Sequence, residues 1–207
     1  MRINKVLFVI VIILLVVLGI VIYVKHVSYQ DTEKEKEVIT IDMNKVLEGA
    51  KKYISMSPEY SSDKYEGGYP PNGVGACTDV IWYAYQNAGF ILKDEIDKDI
   101  KVNYKDYGID NPDPDIDFRR VRNLYVFFDK YAQKLPTSLK KVDIWQPGDI
   151  VIFENYSHIA IISDKKNGDG IPYIIHHSAT KGTVEDDDIR NQVIMAHFRF
   201  NKYEKNE

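Results

Sequence analysis

The chain has 207 residues, of which 28% are charged and 44% hydrophobic, and its formal net charge is −4. This composition excludes intrinsic disorder, collagen and coiled coil, and the length corresponds to one domain or one domain with an appendage. The single cysteine excludes an intramolecular disulfide framework and a zinc site with several cysteine ligands.

The first predicted element is a membrane-spanning helix. Residues 6–24 contain no charged side chain, and a helix of this length spans about 28 Å, close to the roughly 30 Å of a hydrocarbon core. A cleaved signal peptide is the alternative, but its apolar region is shorter, about 7–15 residues, and ends in a small-residue cleavage site. The sequence therefore favours an uncleaved anchor over residues 1–24, followed by a polar linker at 25–40 and a domain at 41–207.

Charge sets the predicted orientation of this anchor. Arg2 and Lys5 precede the span and acidic residues follow it, so the positive-inside rule puts the N-terminus in the cytoplasm and the domain outside the membrane. The lipid bilayer is the expected partner of the span. Residues 31–207 hold 24 basic and 31 acidic residues, a net charge of −7, which argues against nucleic acid as a partner.

Periodicity in the domain changes from helical to strand-like along the chain. The predicted helices cover 42–55, a segment that begins near Cys77 and ends at Gly89, and 119–135. Residues 91–118 are predicted to be irregular, and 185–188 to be a solvated turn. The predicted strands cover 149–153, 157–163, 172–178 and 193–200. Helices followed by an antiparallel sheet indicate an α+β fold.

The residues that carry chemistry are the cysteine and three of the five histidines. A thiol attacks as thiolate, and a helix N-terminus lowers its pKa. An imidazole can take the thiol proton, and a third polar group can orient that imidazole. Cys77, His158 and one residue of the pair His176 and His177 can fill these roles. Because side chains alternate along a strand, only one of the pair can face such a site, and spacing does not tell which. Polar neighbours predict that the thiol is exposed.

Five segments resemble the DUF1287 family, which is grouped with the NlpC/P60 papain-like hydrolases. They read GACTDVIWYAYQNAGF, PDIDFRRVRNLYVFF, PGDIVIFENYSHIAIISD, YIIHHS and AHFRF, and the resemblance runs from about residue 60 to residue 203. It implies a papain-like fold, with Cys77 as nucleophile, His158 as general base and His176 as the third catalytic residue. The family pattern has His-Asn where this chain has His176-His177, so His177 is the alternative third residue.

The resemblance also suggests substrate-binding residues. Tyr65 lies 12 residues before Cys77 and resembles a tyrosine that NlpC/P60 enzymes place beside the nucleophile. Thr78 and Asp79 replace the Ser-Gly that usually follows the NlpC/P60 cysteine, and we predict that they contact substrate. Tyr65 and the backbone N–H of Cys77 are candidates for the oxyanion hole. From their position in the sequence, Arg119 and Arg120 are predicted to pair with the acidic residues just before them or to line a site for an acidic group.

Together these features predict a membrane-anchored, extracytoplasmic cysteine hydrolase. Related enzymes cleave amide bonds in peptidoglycan peptides, so the expected substrate is a cell-wall peptide, and no cofactor or metal is expected. The alternative is a non-catalytic module that binds cell wall or a protein and keeps the fold. A zinc site of Cys77, His158 and His176 is a less favoured third interpretation, because a Cys–His pair explains the same residues without metal.

Overall fold

The computed structural model describes residues 5–32 and 37–204. The chain forms two compact units, one holding the N-terminal helix and the other spanning Val38–Glu204. The N-terminal helix, α1, runs from Lys5 to Thr32. Its segment Leu7–His26 is long and apolar enough to cross a membrane, and its side chains are exposed. A signal sequence has the same properties, so this helix indicates a signal sequence or an anchor, and its topology stays a prediction.

The second unit is a mixed α+β structure. In chain order its elements are β1 (Val38–Thr40), α2 (Met43–Ser55), β2 (Glu59–Tyr60), β3 (Val74–Gly75), α3 (Cys77–Asn87), α4 (Leu92–Asn103), α5 (Val121–Tyr131), β4 (Gln133–Leu135), β5 (Ile150–Phe153), β6 (Ile159–Lys166), β7 (Pro172–Ser178), β8 (Gly182–Asp186), β9 (Ile194–Arg199) and β10 (Lys202–Glu204).

Six of these strands form one antiparallel sheet in the order β4-β9-β5-β6-β7-β8. Alternation along β6 and β7 divides their side chains between two clusters. Ile161 and Ile175 lie opposite each other and face the main core, which includes Cys77 and buried residues of α2, α3 and α5. Ile162 and Ile174 face a second, smaller cluster. The sheet therefore separates two apolar layers, and each residue of β7 is assigned to one of them.

Two pairs of short strands lie apart from the main sheet. Strand β1 pairs antiparallel with β10, and β2 pairs parallel with β3. The second pair matches Tyr60 with Gly75, which lies two residues before Cys77. It therefore fixes the segment that leads into α3.

Helices α2 and α3 pack closely because a glycine lies between them. A Cβ atom on Gly49 would lie 2.8 Å from Ala84 Cα and 2.6 Å from Asn87 Cβ. Asp42 caps α2 by accepting a hydrogen bond from the N–H of Asn44 at 2.9 Å, which stabilises a helix start. The predicted helix over 42–55 is confirmed.

Helix α3 begins at Cys77, and Gly89 follows its end with a φ of +83°, as the C-terminal glycine predicts. The predicted strand at 172–178 coincides with β7. The prediction that residues 91–118 are irregular is wrong, because they contain α4, whose buried residues include Leu92, Ile96 and Ile100.

Two further predictions are wrong in part. The predicted helix over 119–135 is shorter, Val121–Tyr131, and its last residues instead form the edge strand β4, paired with β9. The predicted turn at 185–188 begins inside a strand, since β8 ends at Asp186. In both places pairing with a neighbouring strand, which a local pattern does not reveal, determines the structure.

Candidate active site

The single cysteine lies at the start of a helix, as predicted, but it is not exposed. Cys77 is the first residue of α3, and only 7% of its surface is accessible. The next two residues, Thr78 and Asp79, are 2% and 0% exposed. The expectation of an exposed thiol is therefore wrong, because the segment after the glycine-rich loop packs into the main core.

Burial controls the protonation of this thiol. It raises the pKa of Cys77 to about 11, against the opposing effect of backbone N–H groups, chiefly that of Ile159, which hydrogen-bond to the sulfur. The charge of Asp79 raises the pKa further. The helix N-terminus is thus outweighed by desolvation, and the resting group at neutral pH is a thiol, which needs a base to become a nucleophile.

His158 and His176 form a chain of side-chain hydrogen bonds that ends at Asp186. His158 immediately precedes β6, and its Nε2 atom lies 2.8 Å from Nδ1 of His176 on β7. Nε2 of His176 lies 3.3 Å from Oδ1 of Asp186 on β8. Lys181 donates to the other oxygen of Asp186 at 3.0 Å. The His158–His176 contact is the one implied by the resemblance, whereas Asp186 lies in the segment predicted to be a turn.

The carboxylate of Asp186 determines which atoms donate in the hydrogen bonds that link it to His176 and His158. An ionised carboxylate only accepts, so His176 donates from Nε2 to Asp186 and, when neutral, accepts at Nδ1. His158 must then donate from Nε2, which leaves its Nδ1 without a proton. No hydrogen bond to Nδ1 of His158 occurs among residues 37–204. This nitrogen is therefore the one available to take a proton.

Both histidines of the chain are neutral near pH 7. Burial lowers the pKa of His158 to about 4, and the charge of a protonated His176 would lower it further. Burial also lowers the pKa of His176, although the neighbouring Asp186 acts in the opposite direction. A neutral imidazole with an unprotonated nitrogen has the form required of a general base.

Cys77 and His158 lie near the same end of β6 but face opposite sides of the sheet. Cys77 and Ile159 belong to the main core, whereas His158 contacts Phe153 and His176 on the face of the second cluster. The sulfur accepts a hydrogen bond from the N–H of Ile159, the residue directly after His158. The ring of His158 stacks on Phe153, with 6.0 Å between centroids. Cys77 and His158 share no hydrogen bond in the described part of the chain, so direct transfer between them stays a prediction. Such a transfer requires the ring of His158 to turn around the start of β6 toward Cys77.

His177 takes no part in the chain formed by its neighbour. Its Nδ1 atom lies 3.0 Å from the hydroxyl of Tyr53 on α2, which puts it on the helix side of the sheet. Its ring also contacts Tyr60 at 5.2 Å between centroids. The structure thus gives His158 the partner His176, and gives the alternative third residue, His177, a different set of contacts.

Asp79 is engaged by structural partners rather than open to solvent. Arg119 donates to its two oxygens at 2.7 and 2.8 Å, and both side chains are buried. Arg119 also donates to the backbone carbonyls of Ser61 and Asp63 at 3.2 and 2.6 Å. The prediction that these arginines pair with the acidic residues before them is wrong for Arg119, whereas the charge of Arg120 lowers the pKa of Asp113 and acts in the same direction on Asp117. The predicted contact of Thr78 and Asp79 with substrate stays a prediction.

Tyr65 lies on the arginine side of this cluster. Its hydroxyl donates to Ser61 Oγ at 2.9 Å, and the Arg119 guanidinium lies 5.3 Å from its ring centroid. The charge of Cys77 influences the pKa of two other tyrosines. Burial, and then the negative charge that Cys77 carries as a thiolate, raise the pKa of Tyr60. Both effects also raise the pKa of Tyr53. Sequence reasoning missed these two, because each reads as an ordinary core or loop aromatic.

The geometry offers no support for the zinc interpretation. Among the described residues, no three or more His, Cys, Asp or Glu side chains are grouped to hold a metal ion.

Comparisons with known proteins place the site within a shared sequence family. The pattern of a family described as "Domain of unknown function (DUF1287)" matches residues 46–200. "Uncharacterized protein YijF" of Escherichia coli (strain K12) is 31% identical over 166 residues, which cover 75% of this chain and 80% of that protein. The matched range contains the thiol, the three histidines and Asp186.

Proposed function

The chain belongs to the DUF1287 family, and from that premise we propose that it is a cysteine hydrolase of amide bonds with an NlpC/P60-type, papain-like catalytic arrangement. The observation that carries the proposal is the directed chain from Asp186 through His176 to His158. It leaves Nδ1 of His158 unprotonated, and the proposal requires this ring to turn around the start of β6 toward the sulfur of Cys77.

The first chemical step is attack of the Cys77 sulfur on the amide carbonyl. His158 Nδ1 takes the thiol proton as the C–S bond forms, because both groups are neutral at rest. The resulting imidazolium donates through Nε2 to His176, which is held by Asp186. The negative charge on the former carbonyl oxygen requires N–H or O–H donors, for which the backbone N–H of Cys77 and the hydroxyl of Tyr65 are the candidates.

The second step breaks the C–N bond. His158 returns the proton from Nδ1 to the leaving amine, and a thioester remains on Cys77. Water then attacks the thioester carbonyl while His158 takes a proton from it. The C–S bond breaks as His158 returns this proton to the sulfur, which restores the thiol and the neutral imidazole. The same imidazole therefore acts as base and then as acid in each half of the reaction.

The proposed substrate is a peptide of the cell wall. This follows from the resemblance to enzymes that cleave peptidoglycan peptides, together with the exposed apolar helix α1. We place the N-terminus in the cytoplasm, residues 6–24 in the lipid bilayer and the domain outside, within reach of peptidoglycan.

The test compares the wild-type protein with Cys77→Ala on purified peptidoglycan, with released fragments identified by mass spectrometry. We expect new free amines and carboxylates from the wild type and none from Cys77→Ala, while circular dichroism and binding to the wall stay unchanged. If neither protein releases fragments, the result would instead support the alternative, a non-catalytic module that binds cell wall or a protein. Cleavage that survives in Cys77→Ala would remove the cysteine from the mechanism.

A further inference from the structure

His177 carries a buried nitrogen that its structural contacts leave unused. Nδ1 lies 3.0 Å from the Tyr53 hydroxyl, whereas Nε2 is one of two buried side-chain nitrogen or oxygen atoms without a hydrogen-bond partner among the described residues. The residue is 0% exposed. An unpaired buried polar group costs about 1–3 kcal/mol, so its presence in a folded protein needs an explanation.

The Tyr53 hydroxyl determines where His177 carries its proton. Within residues 37–204, Nδ1 of His177 is the only hydrogen-bond partner of this hydroxyl, so the hydroxyl proton is satisfied only by donation to Nδ1. Burial lowers the pKa of His177 and keeps the ring neutral. A neutral ring that accepts at Nδ1 has its proton on Nε2, and the unused atom is therefore an N–H donor.

This donor lies on the same side of the sheet as the thiol. Ile175 faces the main core that contains Cys77, and alternation along β7 puts His177 on that face. The ring of Tyr60 contacts His177 edge to face, and Tyr60 pairs with Gly75, two residues before Cys77. Tyr60 is 36% exposed, so a ring that borders solvent lies against His177.

We propose that Nε2–H of His177 binds a carbonyl or carboxylate oxygen on the acyl side of the substrate, which it reaches when the ring of Tyr60 moves aside. The inference rests on the proposed hydrolase function and adds a recognition residue to it. An N–H group gains more from an oxygen acceptor than from an aromatic ring. His158 then moves the proton and is oriented by His176, while His177 recognises the substrate.

Two substitutions separate the two nitrogens of His177. In His177→Asn the short amide can still meet the Tyr53 hydroxyl, but the distal donor is lost. In His177→Gln the longer side chain places an amide N–H near the position of Nε2 and gives up the Tyr53 contact. We expect KM for muramidase-digested peptidoglycan to rise about tenfold in His177→Asn, with kcat changed less, and to stay within about threefold of wild type in His177→Gln.

The measurement uses the full-length protein in detergent micelles, with cleavage followed by liquid chromatography and mass spectrometry. Normal KM in His177→Asn with a raised KM in His177→Gln would show that His177 serves Tyr53 alone and would overturn the inference, as would an unchanged KM in both. If either variant unfolds, Tyr53→Phe replaces it. Loss of the hydroxyl frees the ring proton to occupy either nitrogen, so KM should rise by about twofold to tenfold, and an unchanged KM again overturns the inference.

Failure of the underlying function gives a different result. If the wild type releases no fragment, the hydrolase proposal fails, and the same digested peptidoglycan is then tested for binding by calorimetry to the wild type and both variants. Weaker binding by His177→Asn than by His177→Gln still supports His177 as a recognition donor. Equal binding by all three proteins, or none, overturns it.

Discussion

Two buried carboxylates in this protein, Asp79 and Asp149, are held by closely similar sets of donors. Asp79 accepts from the backbone N–H of Ala76, three residues before it, at 2.6 Å, and from the ring nitrogen of Trp82 at 2.5 Å. Arg119 adds two hydrogen bonds, one to each oxygen. This cluster lies directly beside the start of α3.

Asp149 repeats the arrangement beside β5. It accepts from the backbone N–H of Gln146, again three residues before it, at 2.9 Å, and from Nε2 of His197 at 2.8 Å. Arg199 adds one hydrogen bond to each oxygen, both at 2.8 Å. The other nitrogen of His197 lies 3.0 Å from the carbonyl of Pro136, so both ring nitrogens of this histidine contact structural partners.

The difference between the two clusters lies in what the arginine reaches next. Arg119 continues to the carbonyls of Ser61 and Asp63, in the segment that follows Tyr60, whereas Arg199 continues to the carbonyl of Ile144. The Asp79–Arg119 pair therefore supports the segments around the thiol, whereas the Asp149–Arg199 pair links β9 to the segment before β5. A buried ion pair alone does not mark an active site, and the residues it positions decide its role.

The most demanding test of this comparison replaces each arginine by methionine. Arg119→Met leaves Asp79 buried without a cation and should lower the free energy of unfolding by about 3–5 kcal/mol. Arg199 is 15% exposed and Asp149 keeps His197, so Arg199→Met should cost less, about 1–3 kcal/mol. Urea unfolding of both variants measures the difference, and equal losses would show that Trp82 compensates Asp79 as well as His197 compensates Asp149.

A second test concerns the other histidine–carboxylate pair. Asp186 holds His176 as Asp149 holds His197, but we assign it to positioning a base rather than to stability. Asp186→Leu should lower kcat/KM on the order of tenfold to hundredfold with little change in unfolding. Asp186→Asn is the matched control, because its amide oxygen can still accept from His176, and its loss should be smaller. Nitrogen NMR shifts of His158 report whether Nδ1 remains unprotonated.

The pH dependence distinguishes the catalytic chain from a structural pair. Catalysis requires neutral His158, whose pKa burial lowers to about 4 from the ordinary 6.5. Activity should therefore persist well below pH 6 and fall as the pH drops through about 4. Stability changes in the same direction: the unfolded chain binds the proton at about 6.5 and the folded chain does not, so stability is lost as pH falls below that value. An acid limb of kcat near 6.5 would contradict the burial of His158.

The smallest expected effect comes from Tyr65. Tyr65→Phe removes only the hydrogen bond to Ser61 and should lower the free energy of unfolding by about 0.5–1.5 kcal/mol. If the hydroxyl also stabilises the oxyanion, kcat should fall by about tenfold or more while stability changes by this small amount. A kcat equal to that of wild type would limit Tyr65 to supporting the Arg119 cluster.

Local patterns in the sequence predicted the parts of the fold that local interactions determine. Asp42 caps α2, Gly89 follows α3, and strand alternation placed β7 correctly. Helix α4 was missed even though Leu92, Ile96 and Ile100 recur at helical spacing, because the charged residues between them resemble a loop. Strands β4 and β8 were missed because their stability comes from the partner strand.

The candidate site was predictable only as a set of residue types. Cys77, His158 and the histidine pair could be found from the sequence, and the resemblance favoured His176 as the partner of His158. Asp186 could not be found, since its role depends on the register of β7 with β8, which pairs it with Ile174. The pKa of the thiol could not be inferred either, because burial follows from packing rather than from neighbours in the chain.

The pairing of β1 with β10 constrains when the second unit can be completed. Val38 pairs with Glu204, and Thr40 with Lys202, so β1 cannot form its strand pair until β10 has been synthesised. Strand β5 likewise cannot pair with β9, its neighbour in the sheet, until β9 has been synthesised. During synthesis the thiol of Cys77 is therefore made before β9 and β10, the strands that complete the unit in which it is buried.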